Sequence, residues 1–297
     1  MTIDAETKVC GLIGYPVGHS VSPVIHNNLA EHYGQNLVYV PLPAAPGKLG
    51  EALAGADAFD FLGMNVTVPY KSEVIPYLKG IDPLAKRIGA VNTLVRTEGG
   101  YKGYNTDMPG LYRAMCADGV RIAGEEVILL GAGGVARAIA FLLLEKGAAC
   151  VHILNRSRER AVFLAEEVNE AAEEGYGGGR SGLFARAYTP EEYKNLDQSK
   201  KYIVIQATKV GMYPRTDHAV IEDEAFYDLV KIGYDVIFNP LETRFMQLVR
   251  ARGKEAFHGL KMLLYQGIIA YELWNGVQVS EKTAQEIYHK MEAALGV

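Results

Sequence analysis

The sequence predicts an α/β protein in two domains, and three observations carry the prediction. A chain of 297 residues is about two domains' worth of polypeptide. Between Glu125 and Ser157, an apolar run, a glycine turn, a helical pattern and a second apolar run follow one another. Short apolar runs also alternate with helical patterns before and after that stretch, as strands joined by helices require.

The central stretch is the most specific. Val127–Leu130 reads as a buried strand, Gly131-Ala132-Gly133-Gly134 as a tight turn, Val135 to Leu144 as a helix and Cys150–Leu154 as the next strand. Glycines let backbone approach a pyrophosphate, and a helix N-terminus offers it free N–H groups and a positive dipole end. Strand, turn and helix in this order supply the context that a glycine pattern alone lacks, so a Rossmann-type dinucleotide domain is expected. After the second strand, an NAD site usually carries a carboxylate for the ribose hydroxyl. Here Asn155, Arg156, Ser157, Arg158 and Arg160 follow instead. Guanidinium groups suit a 2′-phosphate, which selects NADP(H). Arg158 and Arg160 read at least as well as the solvated first turn of the next helix.

The bulk numbers exclude several classes. Hydrophobic residues make up 49% of the chain and mean hydropathy is +0.01, ordinary for a soluble protein. A net charge of −5 provides no basic field for nucleic acid or an anionic membrane. No apolar run approaches the ~20 residues of a membrane span, and the polar start lacks a signal-peptide layout. Cys10, Cys116 and Cys150 are too scattered for a metal site and suit a reducing cytoplasm. The expected partner is a small molecule. A homodimer is compatible with the sequence, which does not specify assembly.

In chain order, Val9–Gly14 reads as a strand. The loop Tyr15–Pro23 presents Ser20 and Ser22 before a helix over Val24–Tyr33. Ser22 reads as its N-cap, or as a hydroxyl placed to hold a carboxylate. Leu37–Val40 is a strand and Leu49–Ala58 a helix. In Phe61–Lys71, Asn65 and Thr67 fall on one strand face, Pro69 ends the strand and Lys71 follows. Amide, hydroxyl and amine at one strand end suggest a site, although a surface lysine is usually only solvated. Lys79–Arg87 reads as a polar helix and Ala90–Val95 as a strand containing Asn92. Asp107 stands at or next to the start of a helix reaching Cys116, a position that favours an ionised carboxylate; the alternative is that it, or Thr106, is only a cap.

The cofactor domain is expected over 106–255, with further strands at Tyr202–Thr208 and Ile232–Phe238. A turn at Lys209–Pro214 includes Met212. Gly175–Gly182 is a surface loop. Gly259–Asn275 is apolar on nearly all sides, so it is a buried helix, and residues 256–297 are expected to rejoin 1–105. Gln266 within that helix must find partners, either ligand or backbone.

With these pieces assembled, the chain resembles the shikimate dehydrogenase family. The resemblance rests on GYPVGHSVSPVIHN (14–27), NVTVPYK (65–71), GAVNT (89–93), GYNTD (103–107), GAGGVA (131–136), NRS (155–157) and GLKMLLYQ (259–266). It implies an N-terminal α/β substrate domain, a Rossmann-type NADP domain and C-terminal helices returning to the first. It implies that Lys71 and Asp107 are catalytic and that Ser20 and Ser22 hold the substrate carboxylate. Asn65, Thr67, Asn92, Asp107 and Gln266 would take the ring hydroxyls. Gly131, Ala132, Gly133, Gly134, Val135 and Ala136 would cradle the pyrophosphate, and Asn155, Arg156 and Ser157 the 2′-phosphate. Met212 and Gly259 would lie near the nicotinamide. The implied reaction is the NADPH-dependent, reversible reduction of 3-dehydroshikimate to shikimate.

Two positions depart from the family pattern: Phe238 stands where tyrosine is usual, and Gln206-Ala207-Thr208-Lys209 replaces Asn-Ala-Thr-Ser. The rival readings are a quinate/shikimate dehydrogenase using NAD or NADP, a non-catalytic ligand sensor on the same fold, and a two-domain dehydrogenase acting on a folate-like substrate. Phe238 leaves quinate open. Intact Lys71 and Asp107 oppose the sensor, and the hydroxyl-rich residue set does not suit a large aromatic ligand.

Overall fold

The computed structural model describes residues 3–178 and 182–296; Gly179, Arg180 and Ser181 of the expected glycine loop lie outside the described residues. The chain forms two compact units, Met1–Leu111 with Leu263–Val297, and Tyr112–Met262.

The first unit contains strands β1 (Lys8–Gly14), β2 (Leu37–Pro43), β3 (Gly63–Val66), β4 (Gly80–Ile81), β5 (Thr93–Thr97) and β6 (Gly100–Tyr104). They form one sheet in the order β2-β1-β3-β5-β6-β4. β1 pairs in parallel with β2 and β3, whereas β5 runs antiparallel to β3 and β6. Helices α1 (Ser22–His32), α2 (Leu49–Ala58), α3 (Pro83–Ile88) and the start of α4 (Asp107–Ala117) alternate with them. Ile13, Met64, Val66, Leu94 and Tyr101 form its core with Leu49 and Leu53.

Three local expectations are corrected. The polar helix expected over Lys79–Arg87 begins only at Pro83, where Asp82 caps it by accepting the Leu84 N–H at 3.0 Å; Gly80–Ile81 pairs with β6 instead. Thr67 lies one residue beyond β3, although its N–H still bonds Ile13 O at 2.9 Å. Ser22 is the first residue of α1 rather than its cap, and no side chain caps that helix.

The second unit contains β7 (Glu126–Leu130), β8 (Cys150–Leu154), β9 (Ala185–Tyr188), β10 (Tyr202–Gln206), β11 (Val230–Asp235) and β12 (Glu255–Phe257). Its sheet order is β12-β11-β10-β7-β8-β9, and every described pairing is parallel. The order reverses between β7 and β10, the switch point at which doubly wound sheets bind ligands beyond their carboxyl ends. Helices α5 (Gly134–Glu145), α6 (Arg158–Glu173), α7 (Glu224–Tyr227) and α8 (Arg244–Ala251) belong to this unit. The long helices α9 (Leu260–Asn275) and α10 (Glu281–Leu295) complete the chain. In the first unit, α9 docks through the Trp274 indole, which donates to Leu94 O at 2.8 Å. Among the described residues, no helix is long and apolar enough to cross a membrane.

Candidate active site

In the first unit, backbone pairing brings three separated segments to one point. Val66 N–H donates to Asn92 O at 2.8 Å, Val91 N–H to Lys71 O at 2.8 Å and Asn92 N–H to Tyr104 O at 3.0 Å. Asn105 then turns the chain into α4: its Oδ1 accepts the N–H groups of Asp107 at 3.1 Å and Met108 at 3.4 Å. The cap is therefore Asn105, not Thr106 or Asp107, and the Asp107 carboxylate is free for other partners.

Those partners are Lys71 and Asn92. Lys71 Nζ donates to Asp107 Oδ2 at 2.7 Å, and Asn92 Nδ2 to Asp107 Oδ1 at 2.9 Å. The Lys71 and Asp107 side chains are 33% and 19% exposed, partly desolvated yet open to a ligand. Asn92 is itself fixed, since its Oδ1 accepts the Thr106 N–H at 2.7 Å. Asn92 Nδ2 also reaches Gln266 Oε1 at 3.3 Å, while Gln266 Nε2 donates to Leu263 O at 2.9 Å. Gly110 makes room for this: a Cβ there would lie 2.6 Å from Gln266 N. Lys71, Asn92, Asp107 and Gln266 thus form one hydrogen-bonded cluster.

Asn65 lies one layer below. Its Oδ1 accepts the Tyr39 hydroxyl at 2.8 Å, and its Nδ2 donates to Asn92 O at 3.3 Å and Thr93 Oγ1 at 3.1 Å. Burial raises the Tyr39 phenol well above its usual range, so it stays a neutral donor. The Thr67 hydroxyl has no protein partner among the described residues. Ser20 Oγ donates to Ser22 Oγ at 3.1 Å and accepts the Ser22 N–H at 3.2 Å, which pairs the two hydroxyls at the head of α1.

In the second unit, β7 is followed directly by Gly131, whose φ of +118° only glycine adopts readily. A Cβ there would also meet Thr208 Cγ2 at 2.9 Å. Gly133, Gly134 and Val135 are exposed at the start of α5, while Ala136 is buried beneath them. Added Cβ atoms at Gly133 and Gly134 would face open space. A cavity of about 460 Å³ adjoins this turn, lined by Ala132, Gly133, Gly134, Arg137, Arg160 and Phe163 among others. Arg156 is exposed and has no partner among the described residues, Arg158 pairs with Glu192, and Ser157 caps α6 by accepting the Arg160 N–H at 3.5 Å. Asn155 Nδ2 donates to Ser157 O at 2.8 Å. Met212 is exposed, and Gly259 permits a close approach, since a Cβ there would fall 2.2 Å from Val236 O.

Family comparisons agree along the chain. The model of a shikimate dehydrogenase substrate binding domain matches residues 12–94, that of shikimate/quinate 5-dehydrogenase residues 115–175, and that of a shikimate 5′-dehydrogenase C-terminal domain residues 259–286. A shikimate dehydrogenase (NADP(+)) from Moorella thermoacetica is 41% identical over 277 residues, 92% of this chain and 90% of the relative. This chain belongs to the shikimate dehydrogenase family.

Solved members of the shikimate dehydrogenase family superpose closely. One in complex with NADP+ has a TM-score of 0.85 at 35% identity, covering 99% of this chain and 97% of that one. The enzyme from Listeria monocytogenes, in complex with shikimate and NAD, has a TM-score of 0.84 at 30% identity, covering 97% and 98%. The second unit fits a phosphorylated dinucleotide on its own geometry. An open glycine turn leads into a helix N-terminus, a cavity adjoins it, and the guanidinium groups of Arg156 and Arg160 have no partner among the described residues. The sequence pattern gave a solvated helix turn at least as much weight as ligand contact for Arg160; its place in the cavity wall is a signal that pattern lacked. Asn105 and Tyr39 were not singled out, because a cap and a buried phenol have no motif of their own.

Proposed function

We propose that this chain catalyses the NADP-dependent, reversible reduction of 3-dehydroshikimate to shikimate. The observation that carries the reading is the Lys71–Asp107 pair at 2.7 Å, held by Asn92 in a partly open site. The named relatives support the substrate class and the cofactor.

NADPH, when bound, supplies the hydride. The work of the chain is to place the substrate and to handle the proton. As the ring carbonyl is reduced, negative charge develops on its oxygen. The Lys71 ammonium stabilises that charge and delivers a proton from Nζ. Asp107 Oδ2 aims Nζ, and the carboxylate keeps lone pairs for a ring hydroxyl. Asn92 fixes Asp107 through Oδ1 and, with Gln266, reads a second hydroxyl. Thr67 offers a hydroxyl with no partner among the described residues, and Ser20 and Ser22 take the substrate carboxylate. Asn65 supports the floor of the site. In the reverse direction Lys71 Nζ accepts the hydroxyl proton as hydride leaves.

In the second unit the N–H groups at Gly133–Ala136 would hold the pyrophosphate, and Arg156, Asn155 and Ser157 the 2′-phosphate, with Met212 and Gly259 near the nicotinamide. The same reading places the protein in the reducing cytoplasm, where its cysteines remain thiols, and makes a homodimer the assembly to test by light scattering.

The test is an activity matrix on purified protein: shikimate and quinate against NADP+ and NAD+. The expected result is turnover dominated by shikimate with NADP+. Turnover dominated by quinate would overturn the substrate assignment. No turnover with any pair would overturn the enzyme reading in favour of a ligand sensor.

A further inference from the structure

Asp235 closes β11 and is fully buried, yet among the described residues no cation pairs with it. A buried carboxylate is costly unless it is well hydrogen-bonded. Its Oδ1 accepts the Ile237 N–H at 2.9 Å and Gln206 Nε2 at 3.3 Å, and its Oδ2 accepts the Thr243 hydroxyl at 2.6 Å. The three donors come from three segments: the end of β10, the chain just after β11, and the start of α8. The third is fixed in turn, because Thr243 Oγ1 caps α8 by accepting the Met246 N–H at 3.3 Å.

Each donor also holds something else. The Gln206 amide clamps the following turn, accepting the Thr208 N–H at 2.5 Å and donating to Val210 O at 3.1 Å. Gly211 comes next, with φ +88°, and a Cβ there would meet Thr243 Cβ at 3.5 Å. Ile237 O accepts the Gly259 N–H at 2.8 Å, and Gln206 O accepts the Val236 N–H at 3.1 Å. Two hydrogen-bonded routes therefore run from one carboxylate, one to the turn carrying Met212 and one to Gly259. An apolar residue would fill the space and gather none of these donors.

We propose that Asp235 is a positioning residue: its carboxylate sets the turn 207–212 and the Gly259 backbone against the nicotinamide end of the cofactor. This rests on the reading of Met212 and Gly259 given above. Asp235 touches no reacting atom. An amide in its place keeps the shape but presents only one acceptor oxygen to donors that now use two.

The experiment compares wild type, Asp235→Asn and Thr243→Val in the full chain. It measures kcat and the Kd for NADPH, alongside the Kd for adenosine 2′,5′-bisphosphate, which lacks the nicotinamide half. Asp235→Asn is expected to lower kcat or weaken NADPH by about tenfold while bisphosphate binding stays within about twofold, because only the reacting end is displaced. Thr243→Val should show a smaller split in the same direction, and carries the test if Asp235→Asn does not fold. Parallel loss of both ligands would mean a merely structural role and would overturn the proposal, as would no loss of either. A wild-type chain that binds neither ligand would overturn the cofactor reading itself, and with it this proposal; the two failures are told apart by which protein fails.

Discussion

Lys71 Nζ and Asp107 Oδ2, 36 residues apart in sequence, lie 2.7 Å apart in the folded chain. Replacing Lys71 with alanine removes the proton donor and leaves the other substrate contacts in place. Turnover should fall by about 10²–10⁴-fold, the usual range for a positioned acid, with the shikimate KM much less affected. Steady-state kinetics check this, and near-normal turnover would remove Lys71 from the mechanism.

Asp107→Asn tests the pair from the other side. The amide offers one acceptor where Lys71 Nζ and Asn92 Nδ2 now use two oxygens. One of the two donors loses its partner, so kcat should drop by at least about tenfold. Asp107→Glu should not restore it, because Asn105 fixes where α4 begins.

Arg156→Ala and Arg160→Ala test cofactor choice. A charged hydrogen bond to phosphate contributes about 1.5–3 kcal/mol, so each loss should weaken NADPH by about tenfold or more and leave NADH binding almost unchanged. Titration with both cofactors decides it; equal loss for both would place the arginines elsewhere in the site.

His26 predicts a pH dependence of stability. It is fully buried and stacks on Tyr39 with ring centroids 4.2 Å apart, and burial pushes its imidazole down to about 3. A depressed histidine favours the fold above its unfolded value near 6.5, and that contribution is lost as pH falls from there toward 3. Between pH 7.5 and 5, wild type should lose about 2 kcal/mol more than His26→Phe. Urea unfolding at both pH values measures the difference, and a pH-independent difference would refute it.

Gly63→Ala tests the docking of α9. The added Cβ would sit 2.1 Å from Trp274 Nε1 and 2.6 Å from Leu94 O, the two atoms that now hydrogen-bond. Overpacking of this kind costs about 1–3 kcal/mol. Unchanged stability in urea unfolding would mean that α9 shifts without penalty.

The sequence by itself determined the elements whose chemistry is local. Strand, glycine turn and helix at Val127–Leu144 need only neighbouring residues, and so do the apolar Gly259–Asn275 helix and the arginines after β8. Short edge pieces such as β4, β9 and β12 were not legible, because a few residues carry too little periodicity. The division between units, expected at 105/106 and 255/256, falls a few residues later, inside α4 and α9, where no linker composition interrupts the pattern. Only the tertiary structure decided which polar side chains meet. Asn92 reads as one asparagine among many until sheet pairing sets it between Lys71, Asp107 and Gln266. Asp235 carries no motif until three separate segments bring donors to it. The physical reason is the same for both: a hydrogen bond between residues distant in sequence depends on strand register and helix packing, and those follow from the whole core, not from any local run of residues.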